Sequence, residues 1–260
     1  MEATELAIFM LCVCAAGTLL YKRNSPLDRV GASQVTRSIL MGVAISSATY
    51  GIIRSPFGRR SGAHFNPALT LAYFAIGCIH RWDALAYILA QFIGGSIGVF
   101  VSHALLGTNL ANWPVLYVVT LPGRYGYLFA LLTEFSMSFI VMKVVLIVSN
   151  HRRFTKYSPL FVAFVTVFYF AFCTSISGYS VNPARSFSSA LFARTWHGIW
   201  IYFLAPSFGM LMAAALYKRV MGGERIYCAK VFHDLKSVCP FDCHFEQLES
   251  SSQSRVKAKV

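Results

Sequence analysis

Long apolar runs, broken by short polar segments, set the architecture of this chain. Six windows, roughly 3–21, 38–55, 84–106, 126–149, 157–178 and 198–217, carry almost no charge. Each approaches the ~20 residues a helix needs to cross ~30 Å of hydrocarbon. Two further apolar segments, Pro67 to about Ile76 and Pro183 to about Phe192, are too short to cross, since ten helical residues cover only about 15 Å. The pattern predicts an all-α membrane protein with six transmembrane helices and two re-entrant half-helices. The first run begins beside Met1 with no basic segment before it and no clear cleavage site, and so reads as a retained helix.

Both short segments open with the same triplet. Asn66-Pro67-Ala68 lies in SGAHFNPALTLAYF, and Asn182-Pro183-Ala184 lies in SGYSVNPARSFSSALF. Each half, about 1–106 and 126–220, reads as two spans, a triplet segment and a third span. Glu2 and Glu134 each stand seven residues before an apolar-Met pair at the start of a half. Three crossings per half is an odd number, so the second half enters the membrane upside down relative to the first, as an inverted repeat.

Asparagine before proline is a helix-start signal, with Asn at the N-cap and Pro at the first helical position. The two half-helices are expected to meet N-terminus to N-terminus at mid-membrane. Non-helical backbone is tolerated there only where it lines a cavity. Each start presents about +0.5 charge, and two together oppose cations, protons included. With the Asn oxygens occupied by capping, the amide NH2 groups of Asn66 and Asn182 are expected to point into the lumen as free donors.

Composition narrows the function. The 260 residues are 56% hydrophobic and 13% charged, about half the charge of a soluble domain. The net charge of +13 does not indicate nucleic acid, because its placement follows the positive-inside pattern. Arg152, Arg153 and Lys156 sit in the fourth loop, and Arg54, Arg59, Arg60 and Arg81 flank the second. Lys218, Arg219, Arg225, Lys230 and Lys236 follow the last span, whereas the long third loop holds only Arg124. Both termini are expected on the cytoplasmic side of a cell (inner or plasma) membrane. The first loop, with Lys22, Arg23, Arg29 and Arg37, is the exception. The spans contain no nucleophile–base–acid set, so an enzyme is not expected. A secondary transporter would need coupling carboxylates at mid-membrane, and only Glu2, Glu5 and Glu134 are available, all near helix starts.

These motifs resemble the aquaporin and glycerol-facilitator (major intrinsic protein) family over about 1–220, with a bacterial-type water channel as the nearest pattern. SGAHFNPA and NPARSF carry the resemblance, supported by Gln91 and Pro206. It implies one pore per subunit, a homotetramer in the lipid bilayer, and no cofactor for the channel itself. It implies that Glu2 (or its neighbour Glu5) and Glu134 are buried carboxylates holding loop backbone. It also implies that Arg185 forms a narrow outer filter, with Tyr179 and Phe170 beside it. Counting back from Asn66 points to Ser46; Ser47, Thr49 and Tyr50 stay open, because RSPFGRR is longer than typical. Tyr179 is more like a glycerol facilitator, whereas Ser186, Ala190, the Tyr202-Phe203 pair and the short loop after the second half-helix match water channels. Water is the expected solute; small neutral solutes such as glycerol, urea or ammonia are the alternative.

Residues 221–260 read as a polar cytoplasmic tail, disordered in its terminal LESSSQSRVKAKV. Four of the seven cysteines lie in or beside apolar runs, as small apolar fillers. The other three join a histidine in the tail: Cys228, His233, Cys239 and Cys243, in the pattern C-x4-H-x5-C-x3-C. Three thiolates and an imidazole satisfy tetrahedral zinc. Free or lipid-modified thiols are the alternative reading.

Overall fold

The computed structural model describes residues 1–223, 226–233 and 239–250, the last three of these by backbone alone. Twelve α-helices occur among them: α1 Glu2–Tyr21, α2 Pro26–Arg29, α3 Gln34–Arg54, α4 Pro56–Ser61, α5 Pro67–Ala75, α6 Arg81–Leu106, α7 Thr108–Ala111, α8 Gly126–Ser149, α9 Ser158–Ser177, α10 Pro183–Ala193, α11 Ile199–Met221 and α12 Phe245–Ser250. Of the terminal stretch expected to be disordered, residues 248–250 close α12 and residues 251–260 lie outside the described residues, as do Arg225 and Lys236.

The six long helices match the six apolar windows. Five are long and apolar enough to cross a membrane. The sixth, α3, has 21 residues, and Ser38, Ser46, Ser47 and Thr49 temper its hydropathy. α3 begins earlier than the apolar run suggests, because Ser33 caps its polar first turn by accepting from Thr36 N at 3.1 Å. Large apolar side chains remain exposed along one face of α6, at Leu85, Leu89, Ile93, Ile97 and Phe100, and along α9, at Leu160, Phe164, Phe168 and Phe172. Such continuous apolar stripes suit hydrocarbon, not water.

The halves pack as an inverted repeat. α1 lies on α3 and α6, and α8 lies on α9 and α11. The short helices cross over: α5 also packs on α11, and α10 on α6. Six crossings return the chain to the face on which it began, the terminal face. Glycine allows the closest approaches. A Cβ at Gly94 or Gly98 of α6 would collide with the α1 backbone at Ala3 and Ala7, and one at Gly209 of α11 would strike the α8 backbone at Phe135. Overpacking such a contact costs about 1–3 kcal/mol or more. Gly98→Leu should therefore lower the thermal midpoint of detergent-solubilised protein by several degrees, measured by intrinsic fluorescence, whereas Ile97→Leu on the exposed face should leave it unchanged.

Candidate functional site

Both triplets form the same junction. Asn66 Oδ1 accepts from Ala68 N at 3.0 Å; Asn182 Oδ1 accepts from Ala184 N at 3.1 Å and Arg185 N at 3.2 Å. Pro67 and Pro183 take the first helical positions, where a missing N–H costs nothing. The side-chain amides are not both free, as the sequence suggested. Asn66 Nδ2 donates to Val181 O at 2.8 Å, and Asn182 Nδ2 donates to Phe65 O at 2.7 Å. Each asparagine thus spends one N–H on the carbonyl preceding the other asparagine and keeps one N–H for the lumen.

The loops feeding the triplets are held by carboxylates at matching places. Glu2 accepts from His64 N at 3.0 Å, Phe65 N at 2.7 Å and Gln91 Nε2 at 2.6 Å. Glu134 accepts from Ser180 N at 2.9 Å, Val181 N at 2.7 Å and Ser177 Oγ at 2.8 Å. In the first half the serine bond passes to Glu5, which accepts from Ser61 Oγ at 2.6 Å, so both acidic residues of α1 serve the loop. The loops need this support because Ala63, Phe65, Tyr179 and Val181 all lie in the left-handed region, with φ of 57°, 30°, 53° and 56°. Such backbone costs of order 1–3 kcal/mol per residue, most at a β-branched valine.

Two cavities flank the junction. The inner one, about 90 Å³, is lined by both asparagines, Tyr179 and, along α3, Ile45, Thr49 and Ile53. The outer one, about 400 Å³, is lined by Arg185, Phe170 and Met41 and opens away from the terminal face. Tyr179, in the lining of the inner cavity, and Phe170, in the lining of the outer one, pack together with ring centroids 4.3 Å apart. Arg185 is 5% exposed and hydrogen-bonds Thr120 Oγ1, a partner from the long third loop that no sequence motif marks.

Ser46 is placed away from both cavities, buried with no hydrogen-bond partner for its hydroxyl. Ser47 and Tyr50 are exposed on the outer flank of α3, whereas Thr49 reaches the inner cavity. On α3, Met41 lines the outer cavity together with Phe170 and Arg185, five positions upstream of Ser46. The cause is α4, a six-residue helix inserted between α3 and the triplet loop, so counting back from Asn66 stops too late. Its signal was available: Ser55 before Pro56 is a cap followed by a first-turn proline, and Ser55 Oγ accepts from Gly58 N at 3.1 Å.

The tail is not the polar extension its position suggested. Ile226, Cys228, Ala229, Val231, Phe241 and Phe245 are buried, and the tail folds back onto the terminal face. Ligand atoms of Cys228, His233, Cys239 and Cys243 all lie within 4.8 Å of one another. A hydrogen bond from Cys228 pulls the Cys239 thiol down to about 4; the same bond, with burial, pushes the Cys228 thiol up. A thiolate is the metal-binding form of cysteine.

A family model described as "Major intrinsic protein" matches residues 2–217. Among curated relatives, "Glycerol uptake facilitator protein-like 6" of Lactiplantibacillus plantarum is 30% identical over 225 residues, covering 85% of this chain and 97% of that protein. "Aquaporin NIP2-1" of Oryza sativa subsp. japonica is 34% identical over 217 residues, covering 83% and 66%. "Aquaporin Z" of Photorhabdus laumondii is 25% identical over 232 residues, covering 84% and 95%. In fold, the chain is similar to an aquaglyceroporin from Plasmodium falciparum, with a TM-score of 0.69 over 86% of this chain and 96% of that one, at 16% identity.

Proposed function

Since the chain belongs to the major intrinsic protein family, a family of passive membrane channels, we propose that it conducts water down an osmotic gradient and excludes protons and ions. The reciprocal crossing of the two asparagine caps carries this reading. It sets two half-helix N-termini and two remaining N–H donors at one point in the lining of the inner cavity. A water there accepts from both sides and cannot easily relay a proton past two positive helix ends. Arg185 adds a full positive charge on the outer side, and Met41, Phe170 and Tyr179 supply apolar walls. The basic loops on the terminal face point to both termini being cytoplasmic in the cell membrane, and the exposed apolar stripes suit lipid and neighbouring subunits of a homotetramer.

A second reading, small neutral solutes, is favoured by the relative named a glycerol uptake facilitator and by the aromatic Tyr179 in the constriction. Stopped-flow light scattering on proteoliposomes separates the two. The expected result is fast osmotic shrinkage, slower glycerol or urea entry, and no pH-dye signal. Water passage no faster than in empty liposomes would sink the channel reading. Arg185→Val tests the charge. At an effective dielectric of ~20, a unit charge 4 Å from a permeating cation opposes it by about 4 kcal/mol. Removing it should therefore raise proton or ammonium leak by orders of magnitude while water flux persists; unchanged currents would show that Arg185 does not guard the mouth.

A further inference from the structure

We propose that Cys228, His233, Cys239 and Cys243 bind one zinc ion, and that this metal clasps the tail across the mouth of the pore on the terminal face. The site rests on geometry. Tetrahedral zinc with Zn–S bonds of about 2.3 Å sets neighbouring sulfurs about 3.8 Å apart. Here Cys228 Sγ and Cys239 Sγ are 3.4 Å apart, and His233 Nε2 is 3.0 Å from Cys243 Sγ. The imidazole is further fixed by stacking on Phe245, with centroids 4.1 Å apart and planes 8° from parallel. A soft set of three thiolates and one imidazole with no place for substrate selects zinc in a closed, structural role.

The clasp matters because of what lies between its ligands. Residues 229–231, spanned by Cys228 and His233, dock on the loop that leads to Asn66. Ala229 O accepts from His64 Nε2 at 2.7 Å, and Val231 N donates to Gly62 O at 3.0 Å. Val231 O accepts from Ser158 Oγ at 2.6 Å, which ties the same strap to the start of α9. Phe241, between the other two ligands, stacks on the His64 ring at 5.7 Å. Val231 itself joins Ile53, His64 and Val162 in lining the inner cavity, so the strap forms part of the pore wall where solute must leave. Zinc adds to these contacts, since metal binding energy is folding energy in sites of this kind. The zinc-bound strap therefore narrows the mouth without closing it, and its release widens it.

This gate rests on the cavity being a conducting pore, whereas the site does not, and the test treats them separately. Full-length protein purified with zinc should carry about one zinc per chain, and with cobalt should show tetrahedral thiolate absorption. The Cys239→Ser/Cys243→Ser variant should show neither. Absence of both signals in wild type, or a Cys228–Cys239 disulfide in alkylated protein by mass spectrometry, overturns the site. In proteoliposomes, a membrane-permeant chelator should raise wild-type water flux severalfold, added zinc should reverse the rise, and the double variant should be fast under both conditions. Val231→Gly should be fast with zinc still bound, which separates plugging from general loosening of the tail. A metal-loaded protein whose flux is the same with and without chelator overturns the gate and leaves the zinc site standing.

Discussion

Glu134→Ala should prevent the second half of the pore from forming. The substitution leaves Ser180 N and Val181 N buried without an acceptor and unties Ser177 Oγ. Each orphaned buried donor costs about 1–3 kcal/mol, and stripping one partner from a buried charged network typically costs about 3–5 kcal/mol in all. Val181 aggravates the loss, because a valine at φ 56° persists only while its surroundings insist on it. The expected outcome is aggregated or poorly expressed protein by size exclusion, and no water flux from what is recovered. Glu134→Gln keeps one acceptor oxygen but sets an NH2 against a backbone N–H, so it should fall between wild type and the alanine variant. A folded Glu134→Ala protein with wild-type flux would mean that the loop is held by its own packing and the carboxylate is dispensable.

Tyr179→Ala should change what the pore admits. The Tyr179 ring, in the lining of the inner cavity, packs against Phe170, in the lining of the outer one, and its removal should widen the space between them. Reshaping an apolar pocket by a group of this size shifts discrimination by about 1–3 kcal/mol, so glycerol uptake relative to water should rise about tenfold or more. The backbone adds a check. Tyr179 sits at φ 53°, a conformation that alanine also tolerates poorly, so Tyr179→Gly should give the same selectivity with less loss of stability. An unchanged glycerol-to-water ratio in both variants, at equal protein density, would move the constriction elsewhere.

The large architecture was legible because hydrophobic length is a global signal. The six spans and both half-helices follow from apolar runs, and the repeat from two copies of one triplet. The site was legible where a residue acts on its neighbours in sequence, as Asn66 and Asn182 cap the helices they begin, and where the family resemblance pointed, as at Glu2 and Glu134, whose loop partners lie 62 and 46 residues away. It was not legible where partners are far apart in the chain. Met41 was missed because α4 adds helical turns that apolar periodicity does not register. Thr120 was missed because a hydroxyl in a long loop carries no signature. The crossed amide bonds join residues more than a hundred positions apart. In the tail, the cysteines and histidine were visible as a set, but Ile226, Ala229, Val231 and Phe241 became an anchor only when the terminal face offered Gly62, His64 and Ser158 to receive them.

The crossed asparagines also impose a schedule on biosynthesis. Asn66 finds its acceptor at Val181, 115 residues later, and Phe65 O finds its donor 117 residues later. At about 5–20 residues per second, the first triplet waits on the order of ten seconds after emerging from the ribosome before its partner exists. During that interval a half-built membrane protein holds a re-entrant loop with an unmatched donor and acceptor at its tip. The first half is therefore a natural client for the insertion machinery, and synonymous changes that slow translation between the two triplets should lengthen that dependence without altering a single contact in the finished channel.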